Sequence, residues 1–266
     1  MFNINIKVFS FFVLFFSFFV IKSDVYDSFL DKNDFLSRKE ALKYKISYGK
    51  QNRDGGLLSA GSAAFNCNQS VNTDNESILN LEAIGKSNRL FSFFFNIKHI
   101  YNSHVELSTM KPIEFNMNIQ QGKYYNADSV IFNYNLNTIV NLTDTLFNPS
   151  SANDILSICY FLRNYSHNKL INLDTLFFNY YYDNAIYASY IINLGTETIN
   201  TKFGKIKTLK LSPLLEKGRF FKKESGAILW ITDDDSHIPL KLEIPILQGS
   251  VYVNLKSYEG CDLKFF

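Results

Sequence analysis

The sequence predicts a mainly β fold: a curved antiparallel sheet or incomplete β-barrel, with one amphipathic helix packed on it over about 153–163. Three observations carry this expectation. Apolar and polar residues alternate with a period of two through many short segments, the pattern of strands with one buried face. The connections between these segments are too short for βαβ crossovers, so neighbouring strands must run antiparallel. A helical stripe occurs once, between two groups of strands.

The first strand signal is Tyr44, Ile46 and Tyr48 alternating with Lys45 and Ser47, closed by Gly49. Further strands are expected at Leu57–Phe65, Ile78–Ala83, Lys123–Asn133 and Thr138–Leu142, the last two joined by a short polar turn. Then come Thr175–Tyr182, Ala185–Leu194, Ile206–Leu211, Ala227–Thr232, Leu240–Ile246 and Val251–Ser257. Asparagine supplies 17 of residues 101–200 but only one of residues 201–266, so the middle of the chain reads as polar and loop-prone and the last third as the best ordered. No repeat or Pro/Gly-rich linker interrupts the chain, which reads as a single β-rich domain over 40–260 after a lead-in at 24–39, with a tail at 261–266.

The helix rests on Ile155, Ile158, Cys159 and Leu162, spaced i, i+3, i+4 and i+7. Ser151 and Asp154 stand as a weakened capping box, and Arg163 suits the negative helix end. Leu156, Tyr160 and Phe161 widen the apolar surface beyond one stripe, so the helix is expected to touch apolar groups on more than one side, plugging a barrel mouth or lining a cavity.

Residues 1–23 carry Lys7, the apolar run Val8–Ile21, and then Lys22 and Ser23, which reads as a secretory signal. A run of 14 residues is short for a permanent span of about 20, although Ile21 and Ser23 make a poor cleavage site and leave an uncleaved anchor as the alternative. Leaving these residues aside removes two lysines and eight phenylalanines, so the remaining 243 residues hold 25 basic and 25 acidic groups. A neutral body without a block of like charge gives no support to a nucleic-acid partner. The three cysteines, Cys67, Cys159 and Cys261, cannot all pair within one chain, so at least one thiol is free or bridges another molecule.

Chemistry is sparse. No GxSxG, HExxH, GxGxxG or GxxxxGKS/T pattern is present. His99 and His104 fall on opposite faces of any strand that holds both, so they cannot share a metal there, and no cofactor or metal site is expected. Asp233, Asp234 and Asp235 lack the glycine and distal Glu of an EF-hand; a turn between apolar runs is the simpler reading beside a calcium loop. Lys217, Gly218, Arg219, Lys222 and Lys223, interleaved with Phe220 and Phe221, form either a solvated hairpin end or a patch for an anionic head group. Trp230 lies in an apolar strand, as core filler or as a stacking surface for a ligand.

Beyond these residues, the segment "NDILSICYFLRNYS" at 153–166 and the phrases GKIKTLKLSP, GRFFKKE, LWITDD, IPLKLE and GSVYVNLKSYEG between 204 and 260 resemble an exported bacterial family, the domain of unknown function numbered 3108. "YKISYG" at 44–49 and "AGSA" at 60–63 resemble its opening strands, and coverage runs over roughly 40–260. The resemblance implies an exported protein of Bacteroidota type with a β-rich fold and no assigned activity. It marks Asp154, Arg163, Gly218, Arg219, Trp230 and Asp234 as motif residues without a role. By fold-level analogy, the family is similar to half-barrels that carry lipoproteins or lipids across the periplasm.

The expectation for function is a periplasmic or envelope protein that holds an apolar or lipid-like ligand in a half-barrel, lined by Leu156, Tyr160 and Trp230. The alternative is a structural or protein-interaction envelope domain with a filled core. A hydrolase whose groups converge from loops is a third class. A connected apolar cavity of about 300 Å³ or more separates the first reading from the second.

Overall fold

The structure is a computed structural model, and it describes residues 39–50, 58–73, 75–93, 96–148, 152–214, 226–246, 249–261 and 263. The expected signal at 1–23, most of the lead-in, Ser151 and the basic cluster with Gly218 and Arg219 lie outside the described residues. Among the described residues no helix is long and apolar enough to cross a membrane.

The chain first lays down β1 (Glu40–Gly49), β2 (Leu58–Val71), β3 (Ser77–Ser87), β4 (Ile97–Glu106), β5 (Pro112–Gln121), β6 (Tyr124–Asn133), β7 (Thr138–Asn141) and β8 (Thr145–Phe147), each paired antiparallel with the one before. After β9 (Asn153–Asp154) and two short helices follow β10 (Thr175–Tyr182), β11 (Ala185–Thr201), β12 (Gly204–Pro213), β13 (Ile228–Thr232), β14 (Pro239–Ile246) and β15 (Gly249–Glu259). The last strand, β15, pairs with the first, β1, so all 15 described strands make one sheet whose two edges are β8 and β9.

Those edges are neighbours in sequence, and this dictates the shape. Laid flat at about 4.8 Å per strand, the sheet would hold its edges about 67 Å apart. The connection from Phe147 to Asn153 spans at most about 20 Å fully extended. The sheet must therefore roll up until its edges approach, and register shifts at Lys43/Tyr44, Ile46/Ser47, Trp230/Ile231 and Asn193/Thr196 supply local bending. No ladder joins β8 to β9, and side chains bridge the opposing walls instead. Ser103 Oγ of β4 donates to Asp154 Oδ2 of β9 at 2.6 Å, and the Tyr181 hydroxyl of β10 donates to Asp128 Oδ2 of β6 at 2.6 Å. Phe132 of β6 meets Tyr181 edge-on at 6.2 Å between centroids. The incomplete barrel read from the sequence is thus the architecture, with one departure: the β9–β10 pair is parallel.

Alternation builds the wall. In β4, Ile97, His99, Tyr101, Ser103 and Val105 are buried, while the residues between them are not. Neither β4 nor β5 is among the expected strands; inward positions filled by His99 and Ser103, and outward asparagines in β5, weaken the apolar signal in a segment rich in a residue that strands disfavour.

Helical structure also differs from expectation. The inserted helix α2 covers Ser157–Arg163, starting four residues later than the expected 153 because Asn153 and Asp154 pair with Tyr180 and Tyr181 as a strand. Among the described residues there are two further short helices, α1 (Arg89–Ser92) and α3 (His167–Leu170). At the other end, Cys261 and Leu263 are buried in the apolar cluster that contains Leu42, so the packed body runs past 260.

Candidate functional site: an apolar cavity beneath the inserted helix

Helix α2 enters the rolled sheet from β9, and Asp154 fixes its entry. The Asp154 carboxylate accepts from the backbone N–H groups of Leu156 and Ser157 at 2.7 and 2.8 Å and from the Ser103 hydroxyl. Asp154 thus satisfies donors of the first turn. Complete burial raises its pKa, and these hydrogen bonds pull in the opposite direction.

Arg163 fixes the far end. Its guanidinium donates to both oxygens of Glu40 in β1, at 2.6 and 2.7 Å, with side chains only 6% and 1% exposed, and Nε donates to the Ser236 carbonyl. Burial opposes the charge on Arg163, but the Glu40 carboxylate outweighs it and leaves the pKa above its ordinary value. Sequence marked Arg163 as a helix-end charge; its partner lies 123 residues away and carries no linear signal.

Between the ends, α2 stands off the wall. Leu211, Leu229, Leu242, Val253 and Ile46 are consecutive register partners on one inward row across β12, β13, β14, β15 and β1. All of these except Ile46, with Cys159 and Tyr160 of α2, border a cavity of about 260 Å³. A second chamber of about 100 Å³ lies between Leu156 and Cys159 and the wall residues Ala63, Phe65, His99 and Tyr101. Phe65 and Cys159 border both. Cys159 keeps accessible surface and borders both chambers.

Leu156 borders the smaller chamber and Tyr160 the larger, and Trp230 borders neither. It alternates with Leu229 and Ile231, which face inward, so its ring lies on the outer face of β13. Its indole N–H donates to Glu197, and Lys210 and Lys241 sit over the ring at 5.8 and 4.7 Å from its centroid. The lysine stems cover the ring, which is 6% exposed. Trp230 is a cross-strand anchor of the outer face, and its expected lining role is corrected.

Of the polar groups near the cavity, the thiols are inert and the Tyr44 hydroxyl is engaged, while the Tyr160 hydroxyl is not. Burial pushes the thiols of Cys67 and Cys159 up to about 12, far from the thiolate needed for nucleophilic chemistry. Cys67 and Cys159 are free thiols. Tyr44 donates to the Pro239 carbonyl at 2.9 Å. The hydroxyl of Tyr160 is buried without a hydrogen-bond partner among the described residues.

A polar chain ties α2 and α3 to the β13–β14 turn. His237 Nδ1 lies 3.1 Å from the Arg163 carbonyl, His237 Nε2 lies 3.1 Å from His167 Nδ1, and His167 Nε2 lies 3.3 Å from Asp233 Oδ1. The carbonyl only accepts, so Nδ1 of His237 carries a proton; the carboxylate only accepts, so Nε2 of His167 carries one too. Lys207 also contacts Asp233, at 2.6 Å. Burial lowers the pKa of His237. Asp234 closes the same turn, accepting from Thr232 Oγ1 and the Ser236 N–H. The turn reading of Asp233–Asp235 is the one the geometry carries. His99 faces inward and His104 outward, where it lies 3.5 Å from Glu114.

Comparison with known proteins agrees with this architecture. The family model for a protein of unknown function (DUF3108) matches residues 43–256. No curated protein matches. Among solved structures, a β-barrel-like protein of domain of unknown function DUF1849 from Brucella abortus is similar at a TM-score of 0.55 and 8% identity, over 84% of this chain and 97% of that one. Identity this low speaks for the fold alone.

Proposed function

For this chain, which belongs to the DUF3108 family of unknown function, we propose a role as an exported envelope protein that holds an uncharged apolar ligand, such as a lipid chain, in the cavity beneath α2. The cavity itself carries the reading: about 260 Å³ bordered by leucines, Val253 and Tyr160, which passes the threshold of about 300 Å³ only together with the 100 Å³ chamber that shares Phe65 and Cys159 with it. An apolar cavity of about 150 Å³ already binds benzene, so these chambers have room for a longer hydrocarbon. Each square ångström of apolar surface removed from water contributes about 25 cal/mol, enough to retain a chain without any catalytic group. Arg163 supports an uncharged ligand, because Glu40 already matches its charge.

The test uses the full chain and an uncharged probe, N-phenyl-1-naphthylamine. Saturable fluorescence enhancement, and lipid released from gently purified protein in native mass spectrometry, are expected. Leu229→Trp, which fills the cavity from its wall, should weaken probe binding at least ten-fold while the far-ultraviolet spectrum stays unchanged. Absence of both co-purified lipid and saturable binding overturns the carrier reading and leaves a structural envelope domain.

A further inference from the structure

We propose a second binding site on this protein, for a phosphate-type anion, in the concavity between the tip of the β11–β12 hairpin and strands β1, β14 and β15. The cavity measures about 290 Å³ and is bordered by Lys45, Lys202, Lys241 and Lys256, with Asn200 and Asn254 between them. Among the described residues no aspartate or glutamate borders it. In a body whose formal charges balance, four ammonium groups around one concavity are a strong local departure.

Strand register puts the charges there. Asn254 of β15 is the direct partner of Lys45 in β1 on one side and of Lys241 in β14 on the other. Cross-strand partners share a face, so two lysines flank an amide donor with Cα atoms about 10 Å apart. Lys256 falls at the register shift opposite Lys43/Tyr44, and Lys202 caps the site from the hairpin tip, its ammonium 4.9 Å from the Phe203 ring centroid. Among the described residues, Lys45, Lys202 and Lys256 form no ion pair; of the carboxylates on this face, Glu197 is taken by Lys210 and Trp230, and Glu243, two residues along β14 from Lys241, accepts from Ser250 and Tyr252. Like charges held by rigid strands repel, and an anion bound among them removes that repulsion while a concave wall focuses the field. Lysine serves phosphate as a point charge, and the asparagine amides add directed donors. Phe203 and Leu255 also border the site, which is larger than phosphate alone requires. A phosphoester with an apolar substituent is therefore the ligand class.

The molecule carries its own reporter. Trp230 is the only tryptophan, and Lys241 lies over its ring. An anion that draws the Lys241 ammonium away changes indole emission. Inorganic phosphate, titrated at constant ionic strength against chloride, should give a saturable change. The double variant Lys45→Gln/Lys256→Gln, which leaves the Trp230 contacts intact, should bind at least ten-fold more weakly. Lys86→Gln/Lys98→Gln, on the same outer face but outside the cavity, should bind as the parent protein does. Thermal melts of all three confirm that they are folded. Two further arms identify the source of the phosphate. Sedimentation with phosphatidylglycerol vesicles but not phosphatidylcholine vesicles, lost in the first double variant, assigns a lipid head group; a phosphate response without sedimentation assigns a soluble phosphoester. An emission change that chloride reproduces, equal binding by the two double variants, or no response to phosphate or to either vesicle overturns the proposal.

Discussion

Arg163 and Glu40 form a charged pair taken wholly out of water, and such a pair is most sensitive to losing one member. Arg163→Met leaves a buried carboxylate alone and should destabilise the protein by about 3–5 kcal/mol in urea unfolding. Glu40→Leu combined with Arg163→Met should recover most of that loss, since apolar replacement of both partners is often neutral. His99 gives a pH dependence of definite sign. Burial lowers its pKa from 6.5 to about 4, while Gln121 and Tyr101 contact its ring nitrogens. The folded chain then refuses a proton that the unfolded chain accepts below 6.5, so this contribution is complete above that pH and falls on acidification, by about 2 kcal/mol at pH 5. His237, lowered by the same cause, acts in the same direction. Comparing the parent with His99→Gln by urea unfolding at pH 7.5 and 5.0 isolates the first term: the variant should lose about 2 kcal/mol less between the two pH values. Gly260 is constrained by space as well as by its φ of +76°, for a Cβ there would stand 1.8 Å from the Lys39 carbonyl oxygen; Gly260→Ala should therefore lower the melting temperature. Sequence could single out Arg163 and Asp154 as unusual charges near an apolar helix. It could not supply Glu40 or Ser103, because a partner 123 or 51 residues distant is chosen by the roll of the sheet.

At the level of elements, α2 was legible by its 3.6-residue stripe and mislaid only at its start, where pairing with β10 overrides local preference. Asp154 therefore joins two elements. Asp154→Ala removes the acceptor of two backbone donors and leaves the Ser103 hydroxyl unpaired, with an expected loss of about 1–3 kcal/mol. Hydrogen exchange should show faster exchange at the Leu156 and Ser157 amides in that variant, with β1 and β15 unaffected. The outer face tells the opposite story from the helix. Trp230 sits in a continuous apolar run, and period alone cannot say which way a residue in such a run points. Register decides: Trp230 is opposite Lys241 and Lys210, and all three share the outer side. The lysine-lined concavity was illegible for the same reason, since Lys45, Lys202, Lys241 and Lys256 come from four separated segments with no charge block in the sequence.

For the whole molecule, the order of strands makes the first and last elements mutually dependent. β15 pairs with β14 and also with β1, so one strand joins the two halves of the sheet. A chain ending at residue 246 should lack the cooperative unfolding transition of the full chain, a loss that circular dichroism melts would detect. Pairing across more than 200 residues also implies slow folding, because closing such a loop precedes the contacts that reward it. The barrel-like class could be read from short antiparallel runs; the unpaired seam could not, because nothing in the composition of β8 or β9 says that their edges stay apart. That seam has a mechanical meaning. A tube slit along its length resists torsion far less than a closed one, and here the slit is laced by a few side-chain bonds such as Ser103–Asp154 and Tyr181–Asp128. With each lacing worth on the order of 1 kcal/mol, the wall can change girth without breaking a single rung of its backbone ladder.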